Sequence, residues 1–155
     1  MVSYLIVLAN NHAPFREGSK RILKEKSNLE VIGEAEDGPE LLNLLSLIKV
    51  APHMVILDPS MPNFQGISAI PKVKAINPNM KVLILSMHKD KEYLSQAMSS
   101  GAEGYLIKET VDKELLPAIE MIMRGKVYVP PFPWEMSKFY VRTRAGKGME
   151  NSRSD

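Results

Sequence analysis

Cysteine is absent from the 155 residues. That removes disulfide frameworks and thiolate chemistry, and it fits a reducing compartment. No apolar run approaches the roughly 18 residues that a membrane span needs. The N-terminal "MVSYLIVLAN" has no basic leader and no small-residue cleavage site. A cytoplasmic protein with no membrane association is the expectation. After the first apolar run comes "NNHAPFREG", which is neither G-x-G-x-x-G nor a Ser/Thr/Gly-rich flavin phosphate loop. This argues against a dinucleotide or flavin enzyme. Net charge is also scarce. The first 129 residues carry equal numbers of acidic and basic side chains, so the net +2 lies in the tail. A neutral body gives no global case for nucleic-acid binding. No internal repeat is visible.

What is present is a globular composition, 45% hydrophobic and 25% charged, with an apolar period that keeps switching. Tyr4 to Ala9 is a continuous apolar run, as in a strand buried on both faces. Phe15, Ile22 and Leu23 recur at helical spacing among Arg16, Glu17, Lys20, Arg21 and Lys24, which predicts an amphipathic helix. Further strands are predicted over 29–37, 53–58, 81–86 and 104–108. Further helices are predicted over 40–50, 67–76, 90–101 and 111–125, with Asp90 as an N-cap and Gly101 and Gly125 as closing residues. Gly38-Pro39 reads as punctuation. Pro71 and Pro117 fall inside predicted helices, so each helix should start later or bend there. Five strands alternating with five helices predict a doubly wound α/β fold around a parallel sheet.

In such a sheet, ligands bind beyond the carboxyl ends of the strands. The first strand delivers Asn10 and Asn11 to that edge, the third Asp58, the fourth Ser86 and the fifth Lys108. The second supplies Glu36-Asp37, read as a solvated loop. Each residue alone could be a turn former, a cap or a surface charge. Four separate strands delivering them to one crevice suggest a site.

The stretches "VILDPSMPNFQG", "KVLILSMH", "EYLSQAMSSGAEGYLIKE" and "ELLPAIEMIMRGKVYVPP" resemble the receiver domain of two-component response regulators of the NarL/FixJ type. The resemblance runs from about residue 3 to 131. It implies a flavodoxin-like five-stranded sheet in the order 2-1-3-4-5, and a signalling module in a phosphorelay rather than an enzyme. It implies that Asp58 accepts a phosphoryl group from a histidine kinase. Ser86 and Lys108 would bind the phosphoryl oxygens, the Ser60 backbone carbonyl would bind Mg²⁺, and Tyr105 would be the aromatic that turns inward on switching. Asn10 and Asn11 stand where the family carries an acidic pair that holds Mg²⁺. Two neutral amides there imply weakened or absent metal binding, since this hard ion prefers carboxylates. A resting site with Lys108 directed at Asp58 follows. The alternative is a phosphorylation-independent pseudo-receiver that acts as an interaction or dimerisation module.

Residues 1–129 are expected to form the receiver. Residues 130–155 are expected to form an extension or truncated linker, with Trp134, Phe139 and Tyr140 able to pack a short segment and a flexible end from Arg142. No complete DNA-binding module fits there, so contact with DNA would need an output domain missing from this chain. Dimerisation is expected through the first and fifth helices, or through a face of helix 4, strand 5 and helix 5 that includes Tyr93, Tyr105 and Met121.

Overall fold

The computed structural model describes residues 3–130. Five strands form one parallel sheet in the order β2-β1-β3-β4-β5: β1 Tyr4–Ala9, β2 Leu29–Ala35, β3 Met54–Leu57, β4 Lys81–Ser86 and β5 Gly104–Ile107. Five α-helices alternate with them: α1 Ala13–Leu23, α2 Gly38–Leu47, α3 Ile70–Ile76, α4 Lys91–Ser99 and α5 Val111–Met123. Apart from Lys81, Ser86 and the edge strand β2, which carries Glu30 and Glu34, the strands are apolar because both faces are covered. Ile6, Leu8, Met54, Ile56, Leu83 and Leu106 meet Leu23 of α1 and Leu115, Ile119 and Ile122 of α5 on one side. Val7, Val55, Leu57, Val82 and Ile84 meet α2, α3 and α4 on the other. Burying each such side chain contributes about 1.5–3 kcal/mol before the cost of ordering it.

Element ends differ from the sequence reading at identifiable places. Pro39 lies in the first turn of α2, where its missing N–H costs nothing, so Gly38-Pro39 opens a helix. Asp37 caps it by accepting from the Glu40 N–H at 2.8 Å. Pro71 resolves the same way. A 3-10 turn over Gly66–Ala69 comes first, and α3 starts only at Ile70. Pro117 stays inside α5. Asp90 caps α4 as expected, accepting from Tyr93 N–H at 2.8 Å. The fifth strand stops one residue early, and Lys108 opens a short 3-10 turn, Lys108–Thr110, leading into α5. The extension from Pro131 onward, with Trp134, Phe139 and Tyr140, lies outside the described residues.

Two glycines are demanded by close approach. A Cβ on Gly38 would lie 2.2 Å from the Asn63 carbonyl oxygen, so α2 and the 59–65 loop can touch only through glycine. A Cβ on Gly104 would meet Ile122 Cδ1 at 2.7 Å and Leu83 Cδ1 at 2.8 Å. Beside Gly104 the chain returns as a strap. Tyr128 N–H donates to the Glu103 carbonyl, and Tyr105 N–H donates to the Tyr128 carbonyl, both at 3.0 Å. The Tyr128 hydroxyl donates to Glu114 on α5 at 2.8 Å.

Candidate functional site

The register explains why the polar residues meet. Ala9 lies opposite Leu57, Leu57 opposite Ile84, and Ser86 opposite Ile107. The next residue of β1, the next of β3, the last of β4 and the first after β5 therefore share the carboxyl edge of the sheet. These are Asn10, Asp58, Ser86 and Lys108.

Asp58 is the centre of this edge and is only 2% exposed. Its carboxylate is fully engaged. One oxygen accepts from the Ser60 N–H at 2.9 Å and the Ser60 hydroxyl at 2.6 Å. The other takes a charge-assisted hydrogen bond from the Lys108 ammonium. Lys108, directed at Asp58 as expected, also lies over the Phe15 ring, 5.1 Å from its centroid. Ser60 contributes more than the backbone carbonyl expected from sequence, because both its N–H and its hydroxyl serve Asp58.

The two asparagines separate. Asn10 is buried, and its side-chain oxygen is occupied by the His12 N–H at 3.0 Å. Asn11 is exposed. The end of β1 is then locked by Arg16 of α1. Arg16 is 7% exposed. It donates to the Asn10 carbonyl at 2.6 Å, to Glu34 at 2.8 Å and to Glu36 at 3.2 Å. Its burial is tolerated because two carboxylates and a carbonyl take its donors. Glu36 and Asp37 are correspondingly not a free loop: one pairs with Arg16 and the other caps α2. Lys20 adds a second cation to Glu34. The Glu34 carboxyl is held below its ordinary 4.5, first by the hydrogen bond from Lys20, against a smaller opposing effect of burial.

Ser86 is buried, and its hydroxyl accepts the His88 N–H at 2.9 Å. Tyr105 points inward. Its ring is fully buried, its hydroxyl donates to the His88 carbonyl at 2.8 Å, and burial drives its phenol pKa up. Tyr93 stacks on His88 with centroids 4.1 Å apart and meets Tyr105 edge-on. Among the described residues, no three His, Cys, Asp or Glu side chains cluster so as to hold a metal ion. Phe15 and Arg16 are the site-shaping residues that sequence reasoning passed over. Their partners lie on other elements, so no local signal marks them.

The chain as a whole is similar to known proteins. The family model for the response regulator receiver domain matches residues 6–120. The transcriptional regulatory protein DegU of Brevibacillus brevis is 36% identical over 126 residues, 81% of this chain and 52% of that protein. The oxygen regulatory protein NreC of Staphylococcus carnosus is 36% identical over 127 residues, 81% of this chain and 58% of that one. The chain thus spans a little over half the length of these curated relatives. The non-phosphorylated receiver domain of the stress response regulator RcsB from Escherichia coli superimposes with a TM-score of 0.76 at 27% identity, covering 83% of this chain and 98% of that one. A LuxR-family two-component response regulator from Aurantimonas gives 0.78 at 27% identity, covering 92% and 99%. Sequence, strand order and solved neighbours agree: this chain belongs to the response regulator receiver domain family of two-component signalling, in its NarL/FixJ branch.

Proposed function

We propose that Asp58 is a phosphoacceptor that works with little or no help from a metal ion. The observation that carries this is the Lys108 ammonium on the Asp58 carboxylate, with Ser86 on the same edge. A carboxylate oxygen of Asp58 attacks the phosphorus of a phosphohistidine on a kinase. The new O–P bond forms as the P–N bond breaks, and the imidazole leaves with the electron pair. Phosphoryl transfer asks for positioning and for charge on the equatorial oxygens, which Lys108 and the Ser86 hydroxyl supply.

Receiver domains generally bind Mg²⁺ at this place, but the donors here do not suit it. Asp58 is the single carboxylate of the set, Asn10 spends its oxygen on its own turn, and Asn11 is neutral. Each carboxylate lost about 4 Å from a divalent ion removes several kcal/mol of gross attraction at an effective dielectric near 20. No step is routed through the ion. Part of the family's metal role falls to Lys108.

The functional unit is residues 1–129, a cytoplasmic switch rather than a turnover enzyme, with 130–155 as an extension or truncated linker. Its partners are a histidine kinase and a second copy, through α1 with α5 or through α4, β5 and α5. RcsB has been solved as dimers bound to DNA; DNA would concern this chain only through an output domain attached to it. A second reading, a pseudo-receiver that signals by binding alone, is favoured by the three donors already filling the Asp58 carboxylate.

Incubation of the full chain with acetyl phosphate, with and without Mg²⁺, followed by intact mass, separates the two. One added phosphoryl group, absent in Asp58→Ala and little changed by Mg²⁺, supports the first. An unmodified protein at every metal concentration supports the second.

A further inference from the structure

Lys108 has two neighbours with complementary charge. One is the Asp58 carboxylate. The other is the π-face of Phe15 in the first turn of α1, 5.1 Å from the ammonium. Phe15 is itself fixed. It is half-buried against the core beneath α1 and α5, and its outer face stacks on His12, with centroids 6.4 Å apart and planes 18° apart. The side chain of Lys108 is 15% exposed, so most of it is shielded from water. A ring quadrupole attracts such a cation more strongly than it would in water.

We propose that Phe15 is the positioning residue for Lys108: its ring holds the ammonium at the Asp58 carboxylate, from the α1 side of the crevice. A lysine has four rotatable bonds and a point charge, so one ionic partner leaves it free to pivot. The ring closes off that motion on one side. The cation then stands where charge develops during phosphoryl transfer, and no reorganisation is needed at the moment of reaction. With amides at 10 and 11, the crevice has few anions to hold Lys108, which makes the ring more consequential here than beside three carboxylates. This rests on the reading of Asp58 as phosphoacceptor, and the experiment below keeps the two apart.

Two readouts on the full chain test it. The first is the initial rate of Asp58 modification by acetyl phosphate, followed by intact mass. Phe15→Leu, or Phe15→Met as a second apolar replacement, lowers the rate about fivefold, within the range of one cation–π contact. Phe15→Tyr keeps it within about twofold, because the π-face survives. In a Lys108→Met background, Phe15→Leu has no further effect. An equal loss in both backgrounds, or a Phe15→Tyr rate as low as that of Phe15→Leu, would mean that Phe15 only packs, and the proposal fails. The second readout needs no phosphoryl transfer. The shift in urea midpoint caused by Phe15→Leu should shrink by at least half when Lys108 is already Met, whereas additive shifts overturn the proposal. A wild-type chain that takes no phosphoryl group refutes the phosphoacceptor reading instead, and the urea cycle still decides the role of Phe15.

Discussion

Replacing Lys108 by Met should destabilise the protein far more than its position at a surface crevice suggests, and replacing Asp58 as well should add no further loss. The Asp58 side chain is 3% exposed and that of Lys108 is 15%. A contact ion pair at an effective dielectric near 20 has a gross attraction of about 4 kcal/mol. Water reaching Lys108 reduces this to a coupling of about 2 kcal/mol. Lys108→Met leaves a nearly buried carboxylate with only the two Ser60 donors, and the expected cost is about 3 kcal/mol, the low end for a broken buried pair. Asp58→Asn costs about half as much. Its amide oxygen can still accept from Ser60, and Lys108 keeps the Phe15 ring and some water. The double variant, Asp58→Asn with Lys108→Met, should lose about 2 kcal/mol less than the two single losses together. Urea unfolding followed by far-UV circular dichroism at pH 7 and fixed salt measures all four proteins. Additivity within about 0.5 kcal/mol would refute the reasoning. The pair would then be a crevice-surface contact with no net worth.

Three other outcomes follow. Asn10→Asp with Asn11→Asp should raise Mg²⁺ affinity by at least tenfold in a calorimetric titration, since two carboxylates rejoin Asp58; unchanged affinity would mean that the amides are not what weakens the site. Glu34 has a lowered pKa, so it contributes stability that is present above its unfolded value of 4.5 and is lost as pH falls through the lower folded value. The stability gap between wild type and Glu34→Gln should therefore be full at pH 7 and close only below pH 4.5, and the same gap measured in a Lys20→Met background should close at higher pH, which acid titrations of the four proteins can read. Gly38→Ala should cost roughly 3 kcal/mol and shift amide resonances across 59–65, because the new methyl meets backbone that cannot rotate away; a loss below about 0.5 kcal/mol would show that the loop yields freely.

The architecture was legible because parallel strands buried on two faces are apolar without alternation, and each helix between them carries an apolar stripe. Asp58, Ser86 and Lys108 were legible for the same reason: each terminates or immediately follows an unmistakable strand. Helix starts were not. Gly38-Pro39 and Pro71 look like breaks in a linear reading, yet a proline in the first turn lacks only an N–H that would have had no partner. The burial of Arg16 has no local signal, because it depends on Glu34 and Glu36, which reach it from the end of β2 and the residue beyond it. The Phe15–Lys108 contact joins the first helix to the turn after the last strand, a pairing that no local pattern encodes. The Ser60 hydroxyl could have been suspected, since a serine two residues past an aspartate often closes a turn onto it.

The strap at Tyr128 gives the sheet two unlike margins. It occupies the outer side of β5 at Gly104, whereas no described strand lies outside β2, and the exposed Glu30 stands in β2 as a charged guard against a further strand. In mechanical terms, the strap is the first element that a pull on the chain beyond Pro130 would load. Its backbone anchors are the Glu103 carbonyl and the Tyr105 amide. Force or binding on that chain would thus be felt at the backbone of the aromatic residue buried beside the crevice and, through the Tyr128 hydroxyl on Glu114, at α5.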